Sequence, residues 1–314
     1  MDGIFFLLLA LLTIITSVKL SFYADLMNKQ TKIKSLIIGG IVLAGITSLP
    51  EFVTCMSGII IKNPNLSIGD ILGSNLFNIL IIATFDILIL KRRFTLYFNK
   101  NFKYIIFILI IINISIIKTI KMNITIFNIG LPTIVSIIGY FLFLILITKI
   151  KIKEEEEISK NEKYLKTKFI ITSIIMIILS IMLTLKADYI ACNYPNFKSS
   201  TIGAFLLGIT TSLPEVVSFY TLIRLSNYNL AFSNIVGSNI FNFLILSICD
   251  IFTSKSLYSY SEYENLNFIY CGLISTILLL IYTVRKKSNS RILYLIPSII
   301  IFILYIILWC LQFI

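Results

Sequence analysis

Polar and apolar positions do not alternate along this chain. They separate into long apolar runs, such as Tyr104 to Ile117, divided by short polar clusters. Runs of about 20 apolar residues are long enough to cross a bilayer as helices. In lipid every backbone polar group must be bonded within its own segment, which a helix achieves. A membrane barrel would need polar residues at every second position, and these runs do not have them. The pattern predicts about ten spans, near residues 3–22, 35–61, 67–90, 103–119, 124–148, 168–186, 200–224, 230–252, 266–284 and 292–313. The first run, Ile4 to Ile15, lacks the basic leader and small-residue cleavage site of a signal peptide and is read as a membrane helix.

The longest polar connector runs from Lys151 to Lys168 and contains Glu154, Glu155, Glu156 and Glu157. It reads as a solvated linker, because it lacks the Gly turn and spaced ligands of a Ca²⁺ loop. The chain therefore divides into a first five-helix unit (1–150), a linker (151–167) and a second five-helix unit (168–314). The two units repeat. An offset of 164 maps Thr47, Ser48, Leu49, Pro50 and Glu51 onto Thr211, Ser212, Leu213, Pro214 and Glu215. The same offset maps Gly73, Ser74 and Asn75 onto Gly237, Ser238 and Asn239, Phe77 onto Phe241, Asn78 onto Asn242, and Asp86 onto Asp250. An odd number of spans per unit makes the second enter from the opposite face. The expected fold is an all-α membrane protein of about ten transmembrane helices, arranged as two inverted five-helix repeats with a site at the midplane between them.

Composition supports this reading. The chain has 314 residues, of which 58% are hydrophobic and 13% charged, with a mean hydropathy of +0.96. Its net charge of +12 would suggest nucleic acid in a soluble protein. Here most Lys and Arg residues fall in the loops after odd-numbered spans, including Lys91, Arg92 and Arg93 and the Glu154 loop. The positive-inside rule then makes those loops cytoplasmic and places both termini outside. The expected partner is membrane lipid, with no nucleic acid, and a monomer is sufficient. The five cysteines are scattered without CxxC spacing and read as packing residues. The absence of histidine removes the commonest transition-metal ligand.

Glu51 and Glu215 both lie inside apolar spans, where a carboxyl costs several kcal/mol unless something compensates it. Thr47 shares a helix face with Glu51, Ser74 with Asn78, and Ser238 with Asn242. Pro50 and Pro214 have no amide hydrogen to give the carbonyls of Ile46 and Thr210. Broken helices are tolerated at membrane depth where they line a cavity or bind something. These segments bring together two carboxyls, hydroxyls of Thr47, Ser48, Ser74, Thr211, Ser212 and Ser238, and amide oxygens of Asn78 and Asn242. All are hard oxygen donors suited to Ca²⁺, and two carboxylates neutralise one divalent ion. Asp86 and Asp250 read either as structural acids near span ends or as residues lining an ion entrance.

The stretches ITSLPEFVT…GDILGSNLFNIL and TTSLPEVVSF…NIVGSNIFNFL resemble the two alpha repeats of Na⁺/Ca²⁺ exchangers, within the Ca²⁺/cation antiporter superfamily. The resemblance covers roughly residues 36–91 and 200–255. It implies ligands on the second, third, seventh and eighth helices, at Thr47, Ser48, Glu51, Ser74, Asn78, Thr211, Ser212, Glu215 and Ser238, with main-chain ligands at Ala44 and Gly208. It implies transported Ca²⁺ and Na⁺, no cofactor, no enzymatic activity, and residence in the cell membrane. Ile46 and Thr210 stand where the family usually has Gly. Asn242 stands where K⁺-dependent relatives carry Asp, which points away from K⁺ co-transport. The expected function is electrogenic, K⁺-independent exchange of Ca²⁺ for Na⁺ by alternating access. The alternative on the same scaffold is Ca²⁺/H⁺ or other divalent-cation/proton antiport. An ion channel fits an inverted two-carboxyl repeat less well. An intramembrane protease would need a Gly-x-Gly-Asp motif or a Ser/His pair, and the sequence has neither.

Overall fold

Runs of Ile, Leu and Phe lose little by becoming helical in lipid, and the chain is built almost entirely from such helices. The computed structural model describes residues 2–31, 33–89, 94–150, 163–192, 207–261, 263–284 and 291–313. In the first repeat these form α1 (Asp2–Gln30), α2a (Ser35–Thr47) with α2b (Leu49–Ile60), α3 (Pro64–Leu88), α4 (Phe102–Met122) and α5 (Leu131–Lys149). In the second they form α6 (Leu165–Cys192), α7a (Gly208–Thr211) with α7b (Leu213–Arg224), α8 (Tyr228–Ile251), α9 (Tyr263–Val284) and α10 (Arg291–Phe313). Among the described residues eight single helices are long and apolar enough to cross a membrane, and the bent pair α2a–α2b makes a ninth span. The beginning expected for the seventh span, at 200–206, lies outside the described residues.

Three expected boundaries shift, two of them for a visible local reason. The first helix continues past residue 22 to Gln30, because Asp25 pairs with Lys29 at 3.3 Å and accepts from Asn227 Nδ2 at 2.8 Å. The fifth starts at Leu131, not 124. Thr125–Ile126 pairs antiparallel with Ile129–Gly130 (strands β1 and β2) across a turn in which Phe127 and Asn128 have φ of 52° and 64°. Pro132 then sits in the first turn of α5, where a missing N–H costs nothing. The sixth extends from Leu165 to Cys192, beyond the expected 168–186. The loops with Lys91, Arg92, Arg93 and Glu154 to Glu157 lie outside the described residues, as does most of the linker.

α3 and α8 are the central helices and are mostly buried, whereas α1, α5, α6 and α10 keep long apolar faces exposed, including Leu7, Leu11, Phe141, Ile170, Ile174 and Ile303. Such faces suit contact with lipid tails. The two repeats interlock: α3 packs on α10 and α8 on α5, and α4 packs on α9. Repeat symmetry extends to single residues. Lys62 and Ser226 occupy the same repeat position and both adopt left-handed backbone, with φ of 60° and 61°. After them the amide of Asn63 donates to Gly58 O at 2.7 Å, and that of Asn227 donates to Leu222 O at 3.0 Å. These bonds satisfy carbonyls at the ends of α2b and α7b and turn the chain directly into α3 and α8.

Asp86 and Asp250 are fully buried anchors between the repeats. Asp86 accepts from Tyr294 Oη at 2.5 Å, Ser298 Oγ at 2.6 Å and Thr95 Oγ1 at 3.3 Å. Asp250 accepts from Thr133 Oγ1 at 2.6 Å, Gly130 N at 2.9 Å, Ser256 Oγ at 3.1 Å and Leu257 N at 2.5 Å. Each acid therefore ties the end of a central helix to the start of the last helix of the other repeat. Of the two sequence readings, these contacts match the structural one. Of the cysteines, Cys55 and Cys249 are buried free thiols, and Cys271 and Cys310 are also free.

Candidate functional site

The site is created by two helix breaks. Within α2a a π-helical stretch, Ile38–Leu43, precedes Ala44–Thr47. Ser48 then leaves helical geometry (φ −92°, ψ 8°), and α2b departs at 40°. Pro50 occupies the first turn of α2b, where it can start a helix but not continue one. The second repeat does the same, with Ser212 at φ −82°, ψ 6° and Pro214 in the first turn of α7b. Glu51 and Glu215 consequently fall in the first turns of two half-helices, whose exposed N–H groups favour negative charge.

The two carboxyls are held crosswise. Ser212 Oγ donates to Glu51 Oε1 and Ser48 Oγ donates to Glu215 Oε1, both at 3.4 Å. Each acid is thus gripped by the break serine of the other repeat. Ser238 Oγ also donates to Glu215 Oε1 at 3.4 Å. Thr211 and Ser74 face the Glu51 carboxyl, and Thr47 faces that of Glu215. Ser74 Oγ lies 3.2 Å from Thr211 Oγ1. Both hydroxyls donate to Gly208 O at 3.3 Å, while Thr47 Oγ1 donates to Ala44 O at 3.4 Å. The carbonyls of Ala44 and Gly208 also accept helical bonds from the amides of Ser48 and Ser212.

On α3 and α8 the asparagines form a second crossed set. Asn78 Nδ2 donates to Asn239 Oδ1 at 2.9 Å, and Asn242 Nδ2 donates to Asn75 Oδ1 at 3.0 Å. This fixes which way the amides turn: their NH₂ groups are consumed by the partner repeat, leaving Oδ1 as the atom each presents elsewhere. Four site oxygens are buried without a hydrogen-bond partner: Glu51 Oε2, Glu215 Oε2, Asn78 Oδ1 and Asn242 Oδ1. All four side chains are 0% exposed. Buried acceptors left unpaired cost free energy, and a cation relieves that cost.

All twelve residues singled out from the sequence are buried, and they converge on these two crossed sets. Two contributors were not singled out as site residues, Asn75 and Asn239, which orient Asn242 and Asn78. A third is Asp70, buried one turn before Ser74, with Oδ1 3.5 Å from Thr211 Oγ1, within reach of the same hydroxyl proton that Gly208 O accepts. The signal for Asp70 was its spacing of four residues from Ser74. Close approach of the helices depends on glycine: a side chain at Gly237 would collide with the backbone of Gly40. Ile46 and Thr210 are half-buried in continuous helix, and the breaks fall two residues later.

Comparison with known proteins agrees with this architecture. The family described as sodium/calcium exchanger protein matches residues 3–149 and 167–314, one match for each repeat. The inner membrane protein YrbG of Escherichia coli (strain K12) is 25% identical over 248 residues, 75% of this chain and 75% of that protein. Solved structures of the sodium-calcium exchanger NCX_Mj have the same fold. One, soaked with 2.5 mM Na⁺ and 1 mM Sr²⁺, has a TM-score of 0.70 at 22% identity and covers 98% of this chain and 96% of that one. Another, soaked with 2.5 mM Na⁺ and 0.1 mM Ca²⁺, has a TM-score of 0.66 at 21% identity, with coverage of 96% and 97%.

Proposed function

The chain belongs to the sodium/calcium exchanger protein family, and from that membership we propose that it is an antiporter exchanging Ca²⁺ for Na⁺ through the Glu51–Glu215 site. The observation that carries this reading is the set of four buried, unpartnered oxygens on Glu51, Glu215, Asn78 and Asn242. They are hard donors, two of them on carboxyls, grouped between the repeats. Ca²⁺ takes six to eight oxygen ligands at about 2.3–2.6 Å, and the surrounding hydroxyls and carbonyls extend the set. Binding Ca²⁺ requires both glutamates. Na⁺ ions use the same glutamates with Ser74, Thr211, Ser212 and Gly208 O at one pole, and Thr47, Ser48, Ser238 and Ala44 O at the other. Shared ligands make the ions exclude one another, which is what couples their movements.

The interlocked repeats give the mechanism its form. The break serines cross-link each glutamate to the opposite repeat, so the site closes when both halves are engaged. Moving one repeat against the other exposes it to one face at a time. With two carboxylates, a Ca²⁺-loaded site is neutral and a site holding three Na⁺ carries one positive charge. The exchange is then electrogenic, with about 2.3 kcal/mol per 100 mV acting on that charge. No residue of this set calls for K⁺. By the positive-inside rule the basic loops favour a cytoplasmic position, with both termini outside, and the inner-membrane description of the Escherichia coli relative supports residence in the cell membrane. The test is ⁴⁵Ca²⁺ uptake into Na⁺-loaded proteoliposomes at membrane potentials clamped with valinomycin. Uptake should follow the outward Na⁺ gradient, increase with inside-positive potential, and be unchanged when the K⁺ concentrations are varied at a constant ratio, which holds the potential fixed. Uptake driven by a pH gradient and indifferent to Na⁺ would move the protein to proton-coupled antiport.

A further inference from the structure

The two repeats match closely around the site, but not one turn before each motif serine. Asp70 in α3 occupies the position of Asn234 in α8. Both side chains are fully buried. Asn234 leaves its amide nitrogen and oxygen unpartnered, whereas Asp70 is drawn into the pole formed by Ser74, Thr211 and Gly208. Gly208 makes that approach possible. A Cβ there would lie 3.0 Å from Ser74 N and 3.3 Å from Asp70 O, so α7a rests directly on the backbone of α3 across residues 70–74. Thr211 Oγ1 in consequence faces Asp70 Oδ1 at 3.5 Å, Ser74 Oγ at 3.2 Å and Gly208 O at 3.3 Å.

We propose that Asp70 is a Na⁺-binding residue, which completes a monovalent-cation site with Ser74, Thr211, the Gly208 carbonyl and Glu51, and makes the two poles of the ion path unequal. This rests on the exchange reading and specifies which pole holds Na⁺ more tightly. Asp70 lies about 6 Å along α3 from Ser74 and about 12 Å from Asn78, at 1.5 Å per residue. It is therefore offset from the central oxygens toward the face where α3 begins. A cation against Asp70 is distinct from one held between Glu51 and Glu215. Of the two glutamates it uses only Glu51, and the few oxygens of this pole fall short of the six to eight that Ca²⁺ takes, which favours Na⁺ there. Its counterpart pole, with neutral Asn234, lacks the added carboxyl.

The charge count changes accordingly. With Asp70, Glu51 and Glu215 ionised, three Na⁺ leave the site neutral and one Ca²⁺ leaves it with one negative charge. The net charge moved per cycle is unaffected, because stoichiometry alone sets it. What Asp70 shifts is the affinity for Na⁺ relative to Ca²⁺.

The test is displacement of ⁴⁵Ca²⁺ from the purified full-length protein in detergent by increasing Na⁺, with the Ca²⁺ dissociation constant and melting temperature measured in parallel. Removing a facing charge at close range in a poorly screened site should raise the half-displacing Na⁺ concentration of Asp70→Asn by about tenfold or more, with Ca²⁺ affinity changed less than about threefold. Asp70→Glu, which keeps the charge, should recover part of the loss. Equal Na⁺ titrations for wild type and Asp70→Asn would overturn the assignment while leaving the exchange reading intact. So would equal weakening of Na⁺ binding in both variants accompanied by the same loss of thermal stability, which marks a packing defect. Failure of Na⁺ to displace Ca²⁺ from the wild-type chain would overturn the exchange reading and this assignment with it.

Discussion

Asn75 and Asn239 occupy the same position in the two repeats, and each donates its side-chain amide to the other's backbone carbonyl, at 3.4 and 3.1 Å. The approximate twofold axis of the molecule therefore passes between them. Their remaining Oδ1 atoms accept from Asn242 and Asn78. Repeat symmetry is thereby converted into amide orientation, because the asparagines that touch across the axis decide which atoms the other two present to the site.

Asn75→Ala should accordingly affect both stability and ion binding. It removes the donor to Asn239 O and leaves Asn242 Nδ2 without its acceptor in a fully buried place. Such a loss costs about 1–3 kcal/mol. A lower melting temperature together with weaker ⁴⁵Ca²⁺ binding is expected. A lower melting temperature with unchanged Ca²⁺ affinity would show that Asn242 keeps its orientation by other means.

The glycines make a contrasting pair. Gly237→Ala would force a methyl into the backbone of Gly40, whereas a Cβ at Gly45 meets nothing within 4 Å. Overpacking of this kind costs about 1–3 kcal/mol or more, since backbone cannot swing aside. Alanine in an open helical position instead gains up to about 1 kcal/mol. Thermal unfolding should show Gly237→Ala clearly destabilised and Gly45→Ala unchanged or improved. Equal behaviour of the two would contradict the close packing of α2a on α8.

Much of this was legible in the sequence, because an exact offset between two long motifs survives any uncertainty in helix ends. Glu51 and Glu215 stood out as acids in apolar runs, and the surrounding hydroxyls and amides by their spacing and repetition. Their pairing, however, crosses the repeats: Ser212 and Thr211 meet Glu51, and Ser48 and Thr47 meet Glu215. Asp70 escaped for a physical reason: the repeat comparison selects what is duplicated, and Asp70 faces Asn234 across the offset. The amide orientation of Asn78 and Asn242 depends on contacts between repeats that no local pattern encodes. The late start of α5 escaped as well, since the apolar residues Ile124, Ile126 and Ile129 continue the hydropathy of a span while forming a small hairpin.

The two anchoring aspartates should separate stability from transport. Asp86 and Asp250 accept hydrogen bonds from the opposite repeat and lie away from the crossed glutamates. Asp250→Ala would strand the amides of Gly130 and Leu257 as well as Thr133, at about 1–3 kcal/mol for each buried group left unpaired. The variant should unfold at markedly lower temperature, and the fraction that remains folded should bind Ca²⁺ with wild-type affinity. Tyr294→Phe should give a smaller loss of the same kind through Asp86. A selective loss of Ca²⁺ affinity in a thermally normal Asp86→Asn or Asp250→Asn would place these acids on the ion path instead.

The central claim is that Glu51 and Glu215 together hold the exchanged ions. It is tested most directly by Na⁺-triggered ⁴⁵Ca²⁺ release from Ca²⁺-loaded proteoliposomes containing wild type, Glu51→Gln or Glu215→Gln. Each substitution removes one of two charges facing a divalent ion in a buried site, so release should fall by about a hundredfold or more in both variants. Monodispersity and melting temperature should stay close to wild type, because Gln retains an oxygen to accept from Ser212 or Ser48. Rapid Na⁺-triggered release from the wild type, abolished equally in both folded variants, is the predicted result. Wild-type release from either variant would contradict the claim.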